Sequence, residues 1–150
     1  MRRIGNGSGG CGNMVSTKIE FSHNSISRIT DLDDLARLLF PGNKTHQRVF
    51  LAVFLGLKYA PRGFLGSLDG LYAEHGFSKR VLETVRAKMR RLGLIDHVSR
   101  FNKASGYREG WVFSKRFGKS TTRLTELAEK FKEDKGLLQE KKDRDLFRYI

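Results

Sequence analysis

Residues 78–98 read SKRVLETVRAKMRRLGLIDHV, and the architecture follows from how these residues divide between two faces. Ser78 is a natural N-cap, because its hydroxyl can accept from a first-turn amide that has no partner inside the helix. The helix it opens is predicted over 79–92, and Gly93 closes it. At about 100° per residue, Val81, Leu82, Val85, Met89 and Leu92 fall within one arc of about 100°. The opposite side carries Arg80, Glu83, Ala87, Arg90 and Arg91, flanked by Lys79, Thr84, Arg86 and Lys88. One face is core and the other is cationic. After Gly93, the residues Leu94, Ile95, His97 and Val98 have strand character.

Downstream, residues 102–110 carry turn chemistry in Asn102, Lys103, Ser105, Gly106 and Gly110, and Trp111, Val112 and Phe113 restart a strand. The helix is therefore followed by a β-hairpin, with Lys103 and Arg108 near its tip and Arg100, Lys115 and Arg116 along its strands. Upstream, Gly76 suits the left-handed C′ position of a short helix over 67–75 with Leu68, Leu71 and Tyr72 inward. Residues 62–64 form a turn. A longer helix runs from near Thr45 to before Pro61, with Val49, Phe50, Val53, Phe54 and Leu57 at helical spacing. Leu51 and Leu55 widen its apolar surface, which makes it central or partner-contacting. The first helix is expected near Thr30 or Asp31, with Asp33 and Asp34 in its first turn, Leu32, Leu35, Leu38 and Leu39 on its apolar face, and an end at Phe40-Pro41-Gly42. Residues 15–29 alternate weakly at Ile19, Phe21 and Ile26, which suggests a short strand.

The ends differ from the middle. Residues 1–13 are rich in Gly and Asn, lack apolar periodicity and are expected to be disordered. Arg2 and Arg3 precede no apolar run, so no signal peptide is expected, and Met14 is a candidate alternative start. A further helix is expected from Thr121/Thr122 to Asp134, with Leu124, Leu127, Ala128 and Phe131 as one stripe, and more helix around Leu137, Leu138, Leu146, Phe147 and Ile150. The organisation is thus a tail over 1–13, a domain over 14–118 and a C-terminal helical extension over 119–150. The fold class is mostly α with a small β-hairpin.

Of the net charge of +13, residues 78–119 hold +9, from twelve basic and three acidic side chains. Charge confined to one helix and one hairpin points to a polyanionic partner rather than to general solubility. No apolar run approaches the roughly 18 residues of a membrane span. One cysteine, Cys11, excludes an internal disulfide framework. A cytoplasmic location fits these features.

The order helix, helix, short helix, Gly turn, basic helix, hairpin resembles a winged helix-turn-helix domain over roughly residues 30–118. Residues 78–98 are similar to the third helix and first wing strand of many winged-helix regulators, and RRLGLI (90–95) is the most characteristic piece. GYREGWVFS (106–114) corresponds to wing tip and return strand. The resemblance implies that Lys79, Arg80, Glu83, Thr84 and Ala87 approach bases, while Arg86, Arg90 and the wing cations Arg100, Lys103 and Arg108 hold phosphates. Ser78, Arg91 and Tyr107 complete the candidate DNA-binding set. Glu83 is suited either to accept from a cytosine amino group or to repel phosphate.

Gly118-Lys119-Ser120-Thr121 lacks the Gly of a phosphate-binding loop, since Phe113 stands there, and reads as a turn with Ser120 or Thr122 as N-cap. His23, His46, His75 and His97 are scattered, Asp31, Asp33 and Asp34 are explained by capping, and no metal or cofactor is expected. No catalytic constellation is visible. Trp111 suits core packing better than base stacking, and Tyr107 is a candidate for backbone contact. The expected function is a DNA-binding transcriptional regulator that inserts helix 79–92 into the major groove and lays wing 98–113 on backbone and minor groove. Double-stranded DNA is its expected partner, and the C-terminal stripe is suited either to pack on the domain or, as in many dimeric winged-helix regulators, to pair two copies into a homodimer. The alternative is a winged-helix RNA-binding or protein-interaction module in a ribosome-associated or replication assembly.

Overall fold

A computed structural model describes residues 16–104 and 106–149. The tail over 1–13, Cys11, Met14, Ser105 and Ile150 lie outside the described residues. The chain divides into two compact units, one ending at Ser114 and the other beginning at Lys115.

The first unit is built of helices α1 (His23–Ser27), α2 (Leu32–Leu39), α3 (Lys44–Lys58), α4 (Asp69–His75) and α5 (Lys79–Leu92), followed by strands β1 (Ile95–Asn102) and β2 (Gly106–Phe113). Helices α2, α3 and α5 each start where a side chain supplies a missing acceptor. Asp31 accepts from the Asp34 amide at 2.8 Å, Asn43 from the His46 amide at 3.0 Å and Ser78 from the Val81 amide at 3.2 Å. Asp34 also accepts from the Thr30 amide and hydroxyl, which hold its carboxyl below the usual carboxylate range. The expected strand within 15–29 is not formed among the described residues. Residues 16–22 are irregular, the Glu20 amide donates to the Leu38 carbonyl at 2.8 Å, and Ser22 caps α1. In place of a neighbouring strand, this segment finds one backbone bond to a helix end and a side-chain donor on the Lys18 carbonyl.

α3 is the central element, in contact with α2, α4, α5 and β2. Val49, Phe50, Val53 and Leu57 are fully buried there, Leu51 packs against the core, and Leu55 remains exposed. Leu82, Val85 and Met89 of α5 and Leu39 and Phe40 at the end of α2 close the core around them. Phe40, Phe50, Phe54 and Phe113 pack ring to ring at 5.5, 5.6 and 4.9 Å, which joins α2 and α3 to the base of the hairpin.

β1 and β2 pair antiparallel from Ile95↔Phe113 to Asn102↔Gly106. The ladder is longer than the sequence suggested. Asn102, Gly106 and Gly110, expected in the turn, lie within the paired strands. Gly110 is there because nothing larger fits. A Cβ on it would stand 2.5 Å from Phe64 Cζ and 2.7 Å from the Leu65 carbonyl oxygen. That close approach lets Leu65 and Trp111 exchange backbone hydrogen bonds of 3.0 and 2.8 Å, an isolated bridge beside β2.

The second unit contains α6 (Arg116–Glu133) and α7 (Leu137–Asp145) with a single 3₁₀ turn, Leu146–Arg148. α6 starts earlier than expected. Gly118 and Lys119 are helical rather than a turn, and neither Ser120 nor Thr122 is a cap. Thr121, inside the helix, returns its hydroxyl to the Phe117 and Gly118 carbonyls at 3.0 Å. Lys115 and Arg116 thereby belong to this unit and not to the hairpin. No helix among the described residues is long and apolar enough to cross a membrane.

Candidate nucleic-acid interface

α4 is capped by Gly76, whose φ of 72° is left-handed, and α5 begins three residues later at Lys79 behind its Ser78 cap. A side chain at position 76 would be strained in that conformation, so glycine makes the tight joint. α5 then ends at Gly93 with φ 83°, and its amide and that of Leu94 return to Arg90 and Met89. The two glycines fix where α5 starts and stops and send the chain directly into β1.

On α5 the expected division of faces holds. Leu82, Val85 and Met89 are buried, and Lys79, Arg80, Glu83, Thr84, Arg90 and Arg91 are exposed. Ala87 is half-buried at the middle of the outer face, which leaves the backbone accessible there. The Thr84 hydroxyl donates to the Arg80 carbonyl at 3.0 Å, so its oxygen keeps lone pairs for an incoming donor. Lys79, Arg80, Arg91, Arg100, Lys103 and Arg108 form no ion pair with a carboxylate among the described residues. Arg37 with Asp33 and Arg144 with Glu140 are ion pairs on other elements.

Two of the flanking cations behave differently from the sequence expectation. Lys88 is buried, 8% exposed, rather than on the cationic flank. Its Nζ donates to the Lys18 carbonyl at 2.5 Å and sits 4.5 Å from the Phe40 ring centre, and desolvation lowers its affinity for the proton. The stem of Lys88 reaches along the helix surface to the edge of the core, which helical angle alone does not reveal. Burial, then the neighbouring Lys88 charge, hold the His46 imidazole below its usual range. Arg86 lies half-buried with its guanidinium 5.2 Å from the Trp111 ring centre. Trp111 itself is a core residue, with His97 at 4.8 Å on its other contact.

Two concave surfaces border these elements. A groove of about 580 Å³ runs along α5 and is lined by Arg80, Glu83, Thr84, Ala87 and Lys88 against Phe40 and His46. A cleft of about 980 Å³ separates the hairpin from residues 61–66, lined by Arg100, Phe101, Lys103 and Arg108 on one side and Arg62 and Phe64 on the other. Arg62 and Phe64 were legible in sequence only as a turn. Tyr107, near the hairpin tip, has its hydroxyl 2.8 Å from both Ser99 Oγ and Glu109 Oε1 and remains mostly exposed. The structure therefore brings Ser78 to Arg91 onto one helix and Arg100 to Arg108 onto one hairpin that directly follows it. Comparison with models of known families, with curated proteins and with solved structures finds no match to this chain.

Proposed function

We propose that this protein is a sequence-specific, non-enzymatic DNA-binding transcription regulator of the winged helix-turn-helix kind, acting as a cytoplasmic homodimer. In this reading α5 enters the major groove of double-stranded DNA, with Ser78, Lys79, Arg80, Glu83, Thr84 and Ala87 toward bases and Arg86, Arg90 and Arg91 beside phosphates. Hairpin residues Arg100, Lys103, Tyr107 and Arg108 rest on the backbone or in the minor groove. The observation that carries the reading is the set of six cations on α5 and the hairpin without carboxylate partners. Such cations hold mobile counterions that phosphates replace. The glycine-jointed α4–α5 pair and the Leu65–Trp111 bridge beside the hairpin support the resemblance on which the docking mode rests.

Binding-site selection from a random duplex library, followed by titration of Arg80→Ala and Lys103→Ala, tests it. Arg80→Ala is expected to lower specific more than non-specific affinity, by about 1–3 kcal/mol. Lys103→Ala is expected to weaken both alike. With six to eight phosphates engaged, log K falls against log salt with a slope of about −5 to −7. Equal losses in Arg80→Ala argue against base readout, and absence of duplex binding at low salt removes the proposal. A preference for duplex RNA would replace it with the RNA-binding reading.

A further inference from the structure

The groove along α5 holds a buried charge that duplex reading does not use. Lys88 is 8% exposed and lines it together with Ser16, Lys18, Phe40, Asn43 and His46. An ammonium has more than one N–H to give. Among the described residues, Lys88 donates to the Lys18 carbonyl and lies over the Phe40 ring, and no carboxylate is within ion-pair reach of it. A buried charge is ordinarily paired, because a carbonyl dipole and a ring face return only part of the hydration it has lost. The groups around it add donors. Asn43 Oδ1 accepts from the His46 amide, which leaves the side-chain NH₂, and Ser16 Oγ accepts from the Lys18 amide at 3.3 Å, which leaves the hydroxyl hydrogen. The one carboxylate in the lining, Glu83, stands more than a turn before Lys88 on α5 and forms no ion pair with it.

The surroundings of Lys88 say which anion. One buried ammonium balances one negative charge, whereas a phosphate dianion would bring a second charge into the same desolvated end. The wall beside it is largely apolar, from Pro41, Ala87 and the rings of Phe40 and His46, which meet edge-on at 6.2 Å. A bare inorganic ion would satisfy Lys88 and leave that wall in water, while an organic anion covers both. A duplex meets the exposed Lys79, Arg80 and Arg91 first, whereas a small ion can reach a side chain as covered as Lys88. The groove volume of about 580 Å³ lies within the about 300–1,000 Å³ usual for ligand sites, which combine apolar walls with a few polar groups.

We infer that this groove binds a small organic monocarboxylate, its carboxylate on the Lys88 ammonium and its apolar body along Pro41 and Ala87. Arg80, Glu83, Thr84 and Ala87 line the same groove, so an occupied groove is closed to bases and the ligand releases the protein from DNA. The release rests on the duplex reading; the binding of the carboxylate does not.

Isothermal titration calorimetry on the full chain tests the binding. The probes are benzoate and hexanoate, which distinguish a ring from a chain as the apolar body, with benzamide as the neutral isostere and inorganic phosphate as the anion without a body. The better of the two carboxylates is expected to bind with a Kd on the order of 0.1 mM, and benzamide and phosphate at least about tenfold more weakly. Lys88→Met, which keeps the apolar stem, and Ala87→Trp, which fills the groove from the outer face of α5, are each expected to lose at least about tenfold in carboxylate affinity, with folding checked by the far-ultraviolet signal. At about ten times its own Kd the carboxylate is expected to weaken duplex binding about elevenfold, the factor for simple competition. Unchanged carboxylate affinity in either folded variant overturns the inference, and so does benzamide or phosphate binding as tightly as the carboxylates. Duplex binding with no carboxylate binding overturns it and leaves the duplex reading standing. Carboxylate binding through Lys88 with no duplex binding keeps the groove and removes the duplex reading.

Discussion

Lys88 is the residue whose position separates what an angle predicts from what packing decides. It lies on the border between the apolar and cationic faces of α5, and its four-carbon stem carries the ammonium to the Lys18 carbonyl and over Phe40. The charge is desolvated, so the folded protein holds this proton less tightly than the unfolded chain, whose lysine titrates near its usual 10.5. The unfolded state then binds more protons in the interval between the lowered value and 10.5, and stability rises with pH there. Urea unfolding at about pH 8 and about pH 10 checks this against Lys88→Met. The difference, wild type minus variant, is expected to move in favour of the wild type at the higher pH. Identical pH slopes in the two proteins would show that Lys88 is not desolvated. Single residues of this kind were the least legible in sequence. Arg86 folded onto Trp111 and Arg100 over Phe64 are further cases, because both depend on a ring contributed by another element.

At the scale of elements, α5 was readable to the residue, from Lys79 to Leu92. Its signals are local: a serine cap, a 3.6-residue period and a closing glycine. The hairpin was readable in kind but not in extent. Asn102, Gly106 and Gly110 have turn chemistry, yet all three sit in the ladder. Gly110 is held there by a contact with residues more than forty positions earlier, which no local rule captures. Gly110→Ala is expected to displace Phe64 or break the Leu65–Trp111 bridge, with a loss of about 1–3 kcal/mol in urea unfolding. Retained stability with the amides of Leu65 and Trp111 still protected from exchange would mean that the bridge is not set by this contact. The start of α6 was missed for a similar reason. Gly118 resembles a helix breaker, but the flanking Arg116, Phe117 and Lys119 to Glu133 carry the helix through it.

For the whole molecule, the division into a unit ending at Ser114 and one beginning at Lys115 leaves a helix whose apolar stripe meets little within its own unit. Leu124 and Phe131 of α6 are 64% and 66% exposed, and no residue of that helix is buried. Large apolar side chains aligned on one exposed helix face are the usual mark of an association surface. On the homodimer reading, sedimentation equilibrium at micromolar concentration is expected to return about twice the chain mass of 17.1 kDa. Leu124→Glu is expected to return the monomer mass while the near-ultraviolet signal of Trp111 is unchanged. A monomer in the wild-type protein removes the dimer from the proposal.

β2 has a neighbour on each side, β1 along its length and Leu65 at the bridge, which leaves β1 as the outer strand of the hairpin. Among the described residues no further strand pairs with β1, and an open strand edge is an invitation to a strand from another molecule. Asp96, Arg100 and the charged tip at Lys103 and Arg108 discourage that by repulsion and hydration, whatever else they bind. Variants that strip charge from the hairpin will therefore confound loss of affinity with self-association. Arg100→Gln and Arg108→Gln should be read only alongside light scattering at the same concentration.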